Sequence, residues 1–530
     1  MSAPALCPAS PLVARDLAKA YGDRVVLDGI DVVATPAQPL GVVGENGVGK
    51  STLLRLLAGT EQPDAGDVRR PAELAYLAQE PDFGDAVTVG EVLHDALAPL
   101  HDAVARLEVL AGRLDEEAAA DEYAQVLAWA QDHDAWDADR RAEVAAARLG
   151  LGRLEPDRPV AAMSGGQRSR LALAALITRR PQCVLLDEPT NHLDDDAVAL
   201  LEEFLRDLPG VVVVASHDRA FLDGVCGALL DLDPAPRAGT RFSGGYRAFL
   251  EDRRAARVRW QEAFEQQQDE MNELREAART TARQVAHNRP ARDNDKFIYH
   301  AKGQKVARTV SRRVRDVEQR LEVLERERIP KPPPVLSFRG ELTGDRAPSG
   351  LLLSARDLRL DGRVHVEHLH LSAGERLLVT GANGSGKSSL LKLVAGKLAP
   401  SSGTLHVGAR RVAYLPQDVT FQRPERTPHQ VYEIATGSPV PLGDLGLLHP
   451  RDLSRPVGLL SLGQQRRLAL AVQVARQPDL LLLDEPTNHI SLTLADELED
   501  ALQRAAGAVV VASHDRWLRA RWTQQTLPLS

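Results

Sequence analysis

Short apolar runs that end abruptly at glycine-rich or acidic segments recur along the chain and alternate with stretches of helical period. Leu40–Val43 and Leu377–Thr380 are such runs, each followed by a glycine-rich turn and then by an amphipathic segment. Bounded in this way they read as buried strands, so the pattern predicts strand, turn and helix in that order, twice. Two more apolar strands end in Asp187 and Asp484. Around Leu97–Leu149 the Ala, Leu, Glu and Arg content is high and Leu107, Leu110 and Leu114 recur at three and four, which predicts helix, at its simplest a solvated helical hairpin. Between Ala248 and Arg328 heptad-like stripes appear on two flanks, Trp260, Phe264, Met271 and Leu274 before, and Val314, Val317, Leu321 and Leu324 after. Two long antiparallel helices satisfy both stripes, with a turn expected around Asn288–Gln304 and a stiff spacer at Pro330–Pro334.

The chain is also internally repeated. Gly44–Ser51 (GENGVGKS) matches Gly381–Ser388 (GANGSGKS), and AYLAQ ending at Gln79 matches AYLPQ ending at Gln417. Met163–Gln167 (MSGGQ) pairs with Leu460–Gln464 (LSLGQ), Val184–His192 with Leu481–His489, and Val213–Arg219 with Val510–Arg516. The offset is 337 residues at the glycine-rich loops and 297 at the last three pairs, so the first copy carries about 41 extra residues between Gln79 and Ser164. One domain has been duplicated. The expected organisation is a first α/β domain over 1–250 with an insertion at about 97–149, a helical linker over 251–335 and a second α/β domain over 336–530.

Composition narrows the class. Hydrophobic residues make up 43% of 530, which excludes global disorder, and no stretch approaches the ~18 uninterrupted apolar residues of a membrane span. Met1–Leu12 lacks the basic flank and apolar core of a signal peptide, so a cytoplasmic protein is expected. Cys7, Cys183 and Cys226 are odd in number and scattered, and read as small apolar fillers. Net charge is −9, yet Ala277–Arg315 alone carries eleven Arg or Lys against two acids.

Each glycine-rich loop lies between a strand and a helix, the context a phosphate-binding loop requires, where backbone N–H groups and the helix N-terminus favour an anion. Gly44, Asn46, Gly47 and Gly49, and Gly381, Asn383, Gly384 and Gly386, would shape these loops. Lys50 and Lys387 would neutralise β- and γ-phosphates, Ser51 and Ser388 would ligate Mg²⁺, and Thr52 and Ser389 follow them. Asp187 and Asp484 end apolar strands where a carboxylate can hold the ion through water. Glu188 and Glu485 stand where an attacking water can be polarised. Gln79, Gln417, His217 and His514 follow the other strands and are candidate γ-phosphate sensors, the glutamines also candidate metal contacts.

This set resembles the ATP-binding-cassette (ABC) ATPases over about 450 residues. The resemblance implies that Ser164, Gly165, Gly166 and Gln167, and Ser461, Gly463 and Gln464, are signature segments, each facing the nucleotide on the opposite domain. One site would then combine Lys50, Gln79, Asp187, Glu188 and His217 with Ser461 and Gly463. The other would join Lys387, Gln417, Asp484, Glu485 and His514 to Ser164, Gly165 and Gly166. Within the superfamily the chain looks like the F subfamily, tandem cassettes without membrane domains that act on ribosomes, on the strength of Glu188–Asp194 (EPTNHLD), the helical connector and FSGGY at Phe242–Tyr246. Leu462 replaces a signature glycine, Ile490-Ser491 replaces Leu-Asp, and no Phe, Tyr or Trp between Arg339 and Ala413 matches Tyr21 as an adenine platform. The two sites are therefore expected to differ.

A basic finger on an acidic body has an electrostatic reason to meet RNA. Arg283, Arg289, Arg292, Lys302, Lys305, Arg308 and Arg312 are candidate phosphate contacts, and Phe297, Ile298, Tyr299 and His300 candidate contacts at the turn. The resemblance implies a ribosomal partner, rRNA and peptidyl-tRNA, and a monomer whose two cassettes pair. Resistance to ribosome-targeting antibiotics is the favoured role, because ARDNDK at Ala291–Lys296 and VSRRV at Val310–Val314 look like the connectors of actinomycete resistance proteins. A housekeeping translation factor, the energy subunit of a drug exporter and a DNA-associated ATPase are the alternatives.

Overall fold

The computed structural model describes residues 10–529 except 45–46, 84–86, 153, 192, 233–238, 287–314, 333–341, 345–349, 383, 439 and 488–491. The chain divides into two compact units, Met1–Arg247 together with Val335–Ser530, and Ala248–Pro334.

In the first half the chain runs β1 (Leu12–Tyr21), β2 (Arg24–Ala34), β3 (Leu40–Val43), α1 (Lys50–Ala58), β4 (Ala65–Arg69) and β5 (Leu74–Leu77). Four helices follow, α2 (Val89–Ala111), α3 (Glu117–Asp132), α4 (Ala138–Arg148) and α5 (Gly165–Arg179). It closes with β6 (Cys183–Asp187), α6 (Asp195–Asp207), β7 (Val211–Ala215), α7 (Arg219–Val225), β8 (Ala228–Asp231) and β9 (Thr240–Ser243). β1 pairs antiparallel with β2 and β4, while a six-stranded sheet has the order β5-β6-β7-β3-β8-β9, parallel except for β9. One core joins the two sheets: Leu53, Leu54, Leu56 and Leu57 of α1 are buried in the same cluster as Leu12 and Leu17 of β1 and Leu185 and Val213 of the six-stranded sheet.

α8 (Tyr246–Ala286) and α9, of which residues 315–326 are described, form the linker helices. They run antiparallel. Trp260 Nε1 donates to Pro330 O at 3.0 Å, Arg320 pairs with Glu270 at 2.9 Å and Arg275 with Glu325 at 3.1 Å. Met271 and Leu324 of the two stripes are buried.

The second half repeats the plan with β10 (Leu351–Leu360), β11 (Val364–Ser372), β12 (Arg376–Thr380), α10 (Lys387–Val394), β13 (Ser402–Val407) and β14 (Val412–Leu415). Then come α11 (Pro428–Thr436), α12 (Leu462–Ala475), β15 (Leu480–Asp484), α13 (Leu492–Arg504), β16 (Ala508–Ala512), α14 (Arg516–Arg521) and β17 (Gln525–Pro528). The parallel sheet has the order β14-β15-β16-β12-β17. β15 shows why its sequence is four leucines in a row: Leu480 and Leu482 face the core shared with α10, Leu481 and Leu483 the core shared with α11, α12 and α13. A strand covered on both faces has no polar position to alternate.

The inserted region is helical and is more than the solvated hairpin that is its simplest reading. It contains three helices, the first beginning at Val89, with a core of its own built from Leu100, Ala103, Leu107, Ala130, Ala135 and Ala138. Leu114, counted in the sequence stripe, is 48% exposed because α2 ends at Ala111 with Gly112 as its cap. Buried His133 stacks on Trp129 and ties this bundle to the sheet through Glu73, 2.7 Å from His133 Nε2. Cys183 and Cys226 are buried, and burial pushes both thiols up to about 12, so neither is a ready nucleophile. Cys7 lies outside the described residues.

Candidate active site

The loops after β3 and β12, both interior strands of their sheets, each deliver a lysine to the equivalent place. Lys50 Nζ donates to Gly44 O at 2.9 Å, and Lys387 Nζ donates to Gly381 O at 2.7 Å and Ala382 O at 3.1 Å. Both ammonium groups are thus folded back over the loop that their own backbone forms. Gly386 is needed there for two reasons, since its φ is +93 and an added Cβ would lie 2.2 Å from Arg363 O. Burial lowers the Lys387 pKa, opposed by the charges of Glu485 and Asp484.

Behind the loops stand the strand-end carboxylates. Asp484, at the end of β15, accepts from Ser388 Oγ at 3.0 Å and from Tyr414 Oη at 3.2 Å. Asp187 is 3% exposed, and its Oδ1 has no hydrogen-bond partner among the described residues. Burial raises the pKa of both aspartates. Tyr76 mirrors Tyr414: burial, and Asp187 beside it, push its hydroxyl up to about 12. A buried carboxylate with an unused oxygen, next to a serine hydroxyl, is the hard-oxygen donor set that suits Mg²⁺.

Glu188 and Glu485 follow directly, and both adopt φ +50. Left-handed backbone costs a non-glycine residue ~1–2 kcal/mol. Each glutamate is held in it by a hydrogen bond from its N–H, to Ala215 O and to Ala512 O, both 2.8 Å. The two sites then diverge. His514 Nδ1 lies 2.8 Å from Glu485 Oε1, while Ser513 Oγ donates to Glu485 Oε2 at 3.2 Å. The Glu485 hydrogen bond raises the His514 pKa against the opposing effect of burial. In the first half His217 Nε2 is 2.9 Å from Lys50 Nζ and 3.5 Å from Glu188 Oε1. Beside an ammonium donor that nitrogen accepts, an assignment that places the ring proton on Nδ1.

Gln79 and Gln417 lie exposed just past β5 and β14. Ser51 and Ser389 are half-buried, Thr52 is buried and accepts from Arg55 Nη2 at 3.3 Å, and Gly47, Gly49 and Gly384 line the loops. Ser164 and Ser461 cap α5 and α12, each accepting from the N–H of Gln167 or Gln464 at 3.3 Å. Gly165 is exposed and Gly463 buried, and Leu462 is 68% exposed. Tyr21 keeps an exposed ring whose hydroxyl donates to Glu61 at 2.6 Å and accepts from Arg55. Asn46 and Asn383 fall outside the described residues, as do Arg289, Arg292, Phe297, Ile298, Tyr299, His300, Lys302, Lys305, Arg308, Arg312 and the side chain of Arg283.

Sequence reasoning passed over Tyr76 and Tyr414, although the repeated Ala-Tyr-Leu carried the signal. It also passed over Arg219 and Arg516, the last residues of the V-V-A-S-H-D-R repeat. Arg219 donates to Asp496 at 2.8 Å, to Asp515 at 2.7 Å and to Glu499, all in the second half, and Arg516 reaches back to Glu202.

The family profile described as "ABC transporter" matches residues 27–191 and 364–488. The chain is 38% identical to the tylosin resistance ATP-binding protein TlrC of Streptomyces fradiae, over 98% of each chain. It is 32% identical to the energy-dependent translational throttle protein EttA of Mycobacterium tuberculosis, over 95% of this chain and 88% of that one. The probable ATP-binding protein YheS of Escherichia coli is 33% identical over 94% and 75%. Among solved structures, the one entitled RNase-L Inhibitor superposes with a TM-score of 0.57 at 20% identity, over 95% of this chain and 85% of that one, a likeness of fold. Among the described residues no helix is long and apolar enough to cross a membrane. With two matched cassettes, duplicated phosphate loops and relatives alike over nearly the whole length, the chain belongs to the F subfamily of the ATP-binding-cassette proteins and is an ATPase.

Proposed function

We propose that this ATPase acts on the ribosome from the cytoplasm, using ATP binding and hydrolysis to set its linker near the peptidyl-tRNA and peptidyl-transferase region, and that it thereby confers resistance to ribosome-targeting antibiotics. The observation that carries this reading is the 38% identity, end to end, with a protein named for tylosin resistance. A linker segment with eleven basic and two acidic residues, in a chain of net charge −9, supports an RNA partner.

In each site the loop N–H groups and Lys50 or Lys387 bind the phosphates, and Glu188 or Glu485 orients the attacking water. Ser51 with Asp187, and Ser388 with Asp484, would hold Mg²⁺, aided by Gln79 and Gln417; when bound, the ion neutralises charge developing on the phosphates. Each signature segment completes the opposite site. The protein works as a monomer, its cassettes paired within one chain through Arg219 and Arg516.

Two measurements in a drug-susceptible host test the reading. With ATP, the tagged protein should sediment with 70S particles, and replacing Phe297, Ile298 and Tyr299 by Ala should abolish protection against a macrolide such as tylosin while leaving sedimentation unchanged. Sedimentation with membranes would point to an exporter's energy subunit. Ribosome binding with no protection by the wild-type chain would favour translational regulation, the role named for EttA.

A further inference from the structure

Arg466, near the start of α12, is only 3% exposed. Its Nη1 donates to Gln417 O at 2.9 Å, and its Nη2 donates to Asp484 O at 2.6 Å and also to Glu485 O. One guanidinium therefore gathers three carbonyls from two segments, the one after β14 and the one that ends β15. A planar fork of fixed donors imposes the spacing between those carbonyls, which a single-point ammonium does not. Glu485 is the residue held at φ +50, so the carbonyl that Arg466 grips belongs to the strained peptide that aims the glutamate side chain. Among the described residues the equivalent position of the first half makes no such contact. At the repeat offset of 297 the position of Arg466 is taken by Ser169, whose hydroxyl donates to Gly165 O, one turn back on its own helix, at 3.2 Å.

We propose that Arg466 is a positioning residue for ATP hydrolysis at the second site, locking the Gln417 segment and the Glu485 peptide to the helix that begins at Ser461, and that the first site works without such a lock. The inference rests on Glu485 being the water-orienting group. Because α12 carries the signature segment assigned to the first nucleotide, Arg466 also makes the second site's glutamate and the first site's signature helix move as one piece. Among the described residues Ser169 makes no reverse linkage.

Steady-state ATP hydrolysis by the full chain with Glu188→Gln isolates the second site. There, Arg466→Ser should lower kcat at least about tenfold with KM for ATP changed less than about twofold, and Arg466→Lys should recover part of the loss. At the first site, isolated with Glu485→Gln, Ser169→Ala should leave kcat within about twofold. If Arg466→Ser does not fold, the Lys variant carries the test, with a lowered kcat, kept KM and an unchanged melting temperature expected. An unchanged kcat in a folded Arg466 variant overturns the proposal, as does a joint loss of kcat, ATP affinity and melting temperature, which marks a general strut. Continued hydrolysis by Glu188→Gln with Glu485→Gln would instead refute the role of Glu485 itself.

Discussion

Arg219 of the first cassette places its Nη1 2.8 Å from Asp496 Oδ1 of the second. The same guanidinium reaches Glu499 and Asp515, while Arg516 reaches Glu202 and lies 3.8 Å from Asp218. Arg219 and Arg516 occupy equivalent positions of the repeat, as do Glu499 and Glu202, so the two contacts are related by the duplication itself. They are not equal. Arg219 is buried among three carboxylates, whereas Arg516 is partly exposed and Asp496 has an alanine, Ala199, at its counterpart.

That imbalance predicts a pH dependence. Burial pushes Glu499 up to about 7 from an ordinary 4.5, against the lowering effect of Arg219. A raised carboxyl contributes stability fully present below 4.5 and lost as pH rises through about 7. Burial also pushes Asp515 up, but Arg219 outweighs it and leaves Asp515 lowered, so its contribution is lost only on acidification below its ordinary 3.8. Between about pH 5 and pH 8 the wild type should therefore lose ~1–3 kcal/mol that Glu499→Gln does not lose. Chemical denaturation of both proteins across that range measures the difference, and parallel curves would remove Glu499 as its source.

Removing Arg219 should be harsher than any surface charge change. Arg219→Ala leaves Asp496, Glu499 and Asp515 without their shared cation, and breaking a buried pair in this way costs ~3–5 kcal/mol. The expected readout is a lowered melting temperature together with weaker ATP hydrolysis, because Asp515 follows His514 directly. Arg519→Ala, which breaks an exposed pair with Asp195 at 2.8 Å, should change stability by less than about 1 kcal/mol.

The duplicated strand, loop and helix, the α/β class and the family were legible because each rests on local sequence: apolar runs, glycines at fixed spacing, and repeats that report on one another. What escaped depends on partners distant in sequence. Nothing local in Gln465-Arg466-Arg467 marks Arg466 as buried, and only the fold turns it inward. Arg219 meets carboxylates nearly 300 residues away, and nothing local marks Asp496 as its partner. Gln267 of α8, in a stripe otherwise read as apolar, is buried because its amide donates to Glu327 O and accepts from Ile329 N. Leu114 had the right period but lay beyond the cap that ends its helix.

The glycines of the second phosphate loop separate steric need from conformational need. Gly384 has φ +87 with open space around its missing Cβ, so Gly384→Ala should cost only the ~1–2 kcal/mol of left-handed backbone. Gly386→Ala adds a clash 2.2 Å from Arg363 O, which forces the loop to move. Nucleotide titration with Lys50→Ala present, which disables ATP binding at the first site, should show ATP affinity at the second site falling at least tenfold further for Gly386→Ala than for Gly384→Ala, about 1.4 kcal/mol.

His514 should report its bond to Glu485. Its raised pKa means that the imidazolium persists to higher pH than in an ordinary histidine, and the associated stability is fully present below 6.5 and lost as pH rises through the raised value. In Glu485→Gln the carboxylate that raises the pKa disappears while burial, which lowers it, remains. The His514 ring signal in a proton NMR titration should therefore move to lower pH in that variant. A midpoint that stays in place would mean that the 2.8 Å contact is not made in solution.

The last expectation concerns which site limits the enzyme. On the proposed reading Tyr21 serves the first nucleotide with an exposed ring backed by Glu61 and Arg55, and the residues from Arg339 to Ala413 contain no Phe, Tyr or Trp to do the same for the second. Loss of base stacking is worth ~1–3 kcal/mol, so the second site should bind ATP more weakly by that amount. Chemistry should divide the other way. Glu485 is gripped by Ser513 and His514, and its backbone by Arg466, whereas His217 is drawn to Lys50 and the first nucleotide is assigned a signature segment carrying exposed Leu462. Each single Glu→Gln change removes water orientation at one site, a loss of about 10²–10⁴-fold there. Glu188→Gln should consequently leave an enzyme with a high KM for ATP and a high kcat, and Glu485→Gln one with a low KM and a low kcat. Matching constants for the two variants would show that the duplicated sites remain equivalent despite Tyr21, Leu462 and Arg466.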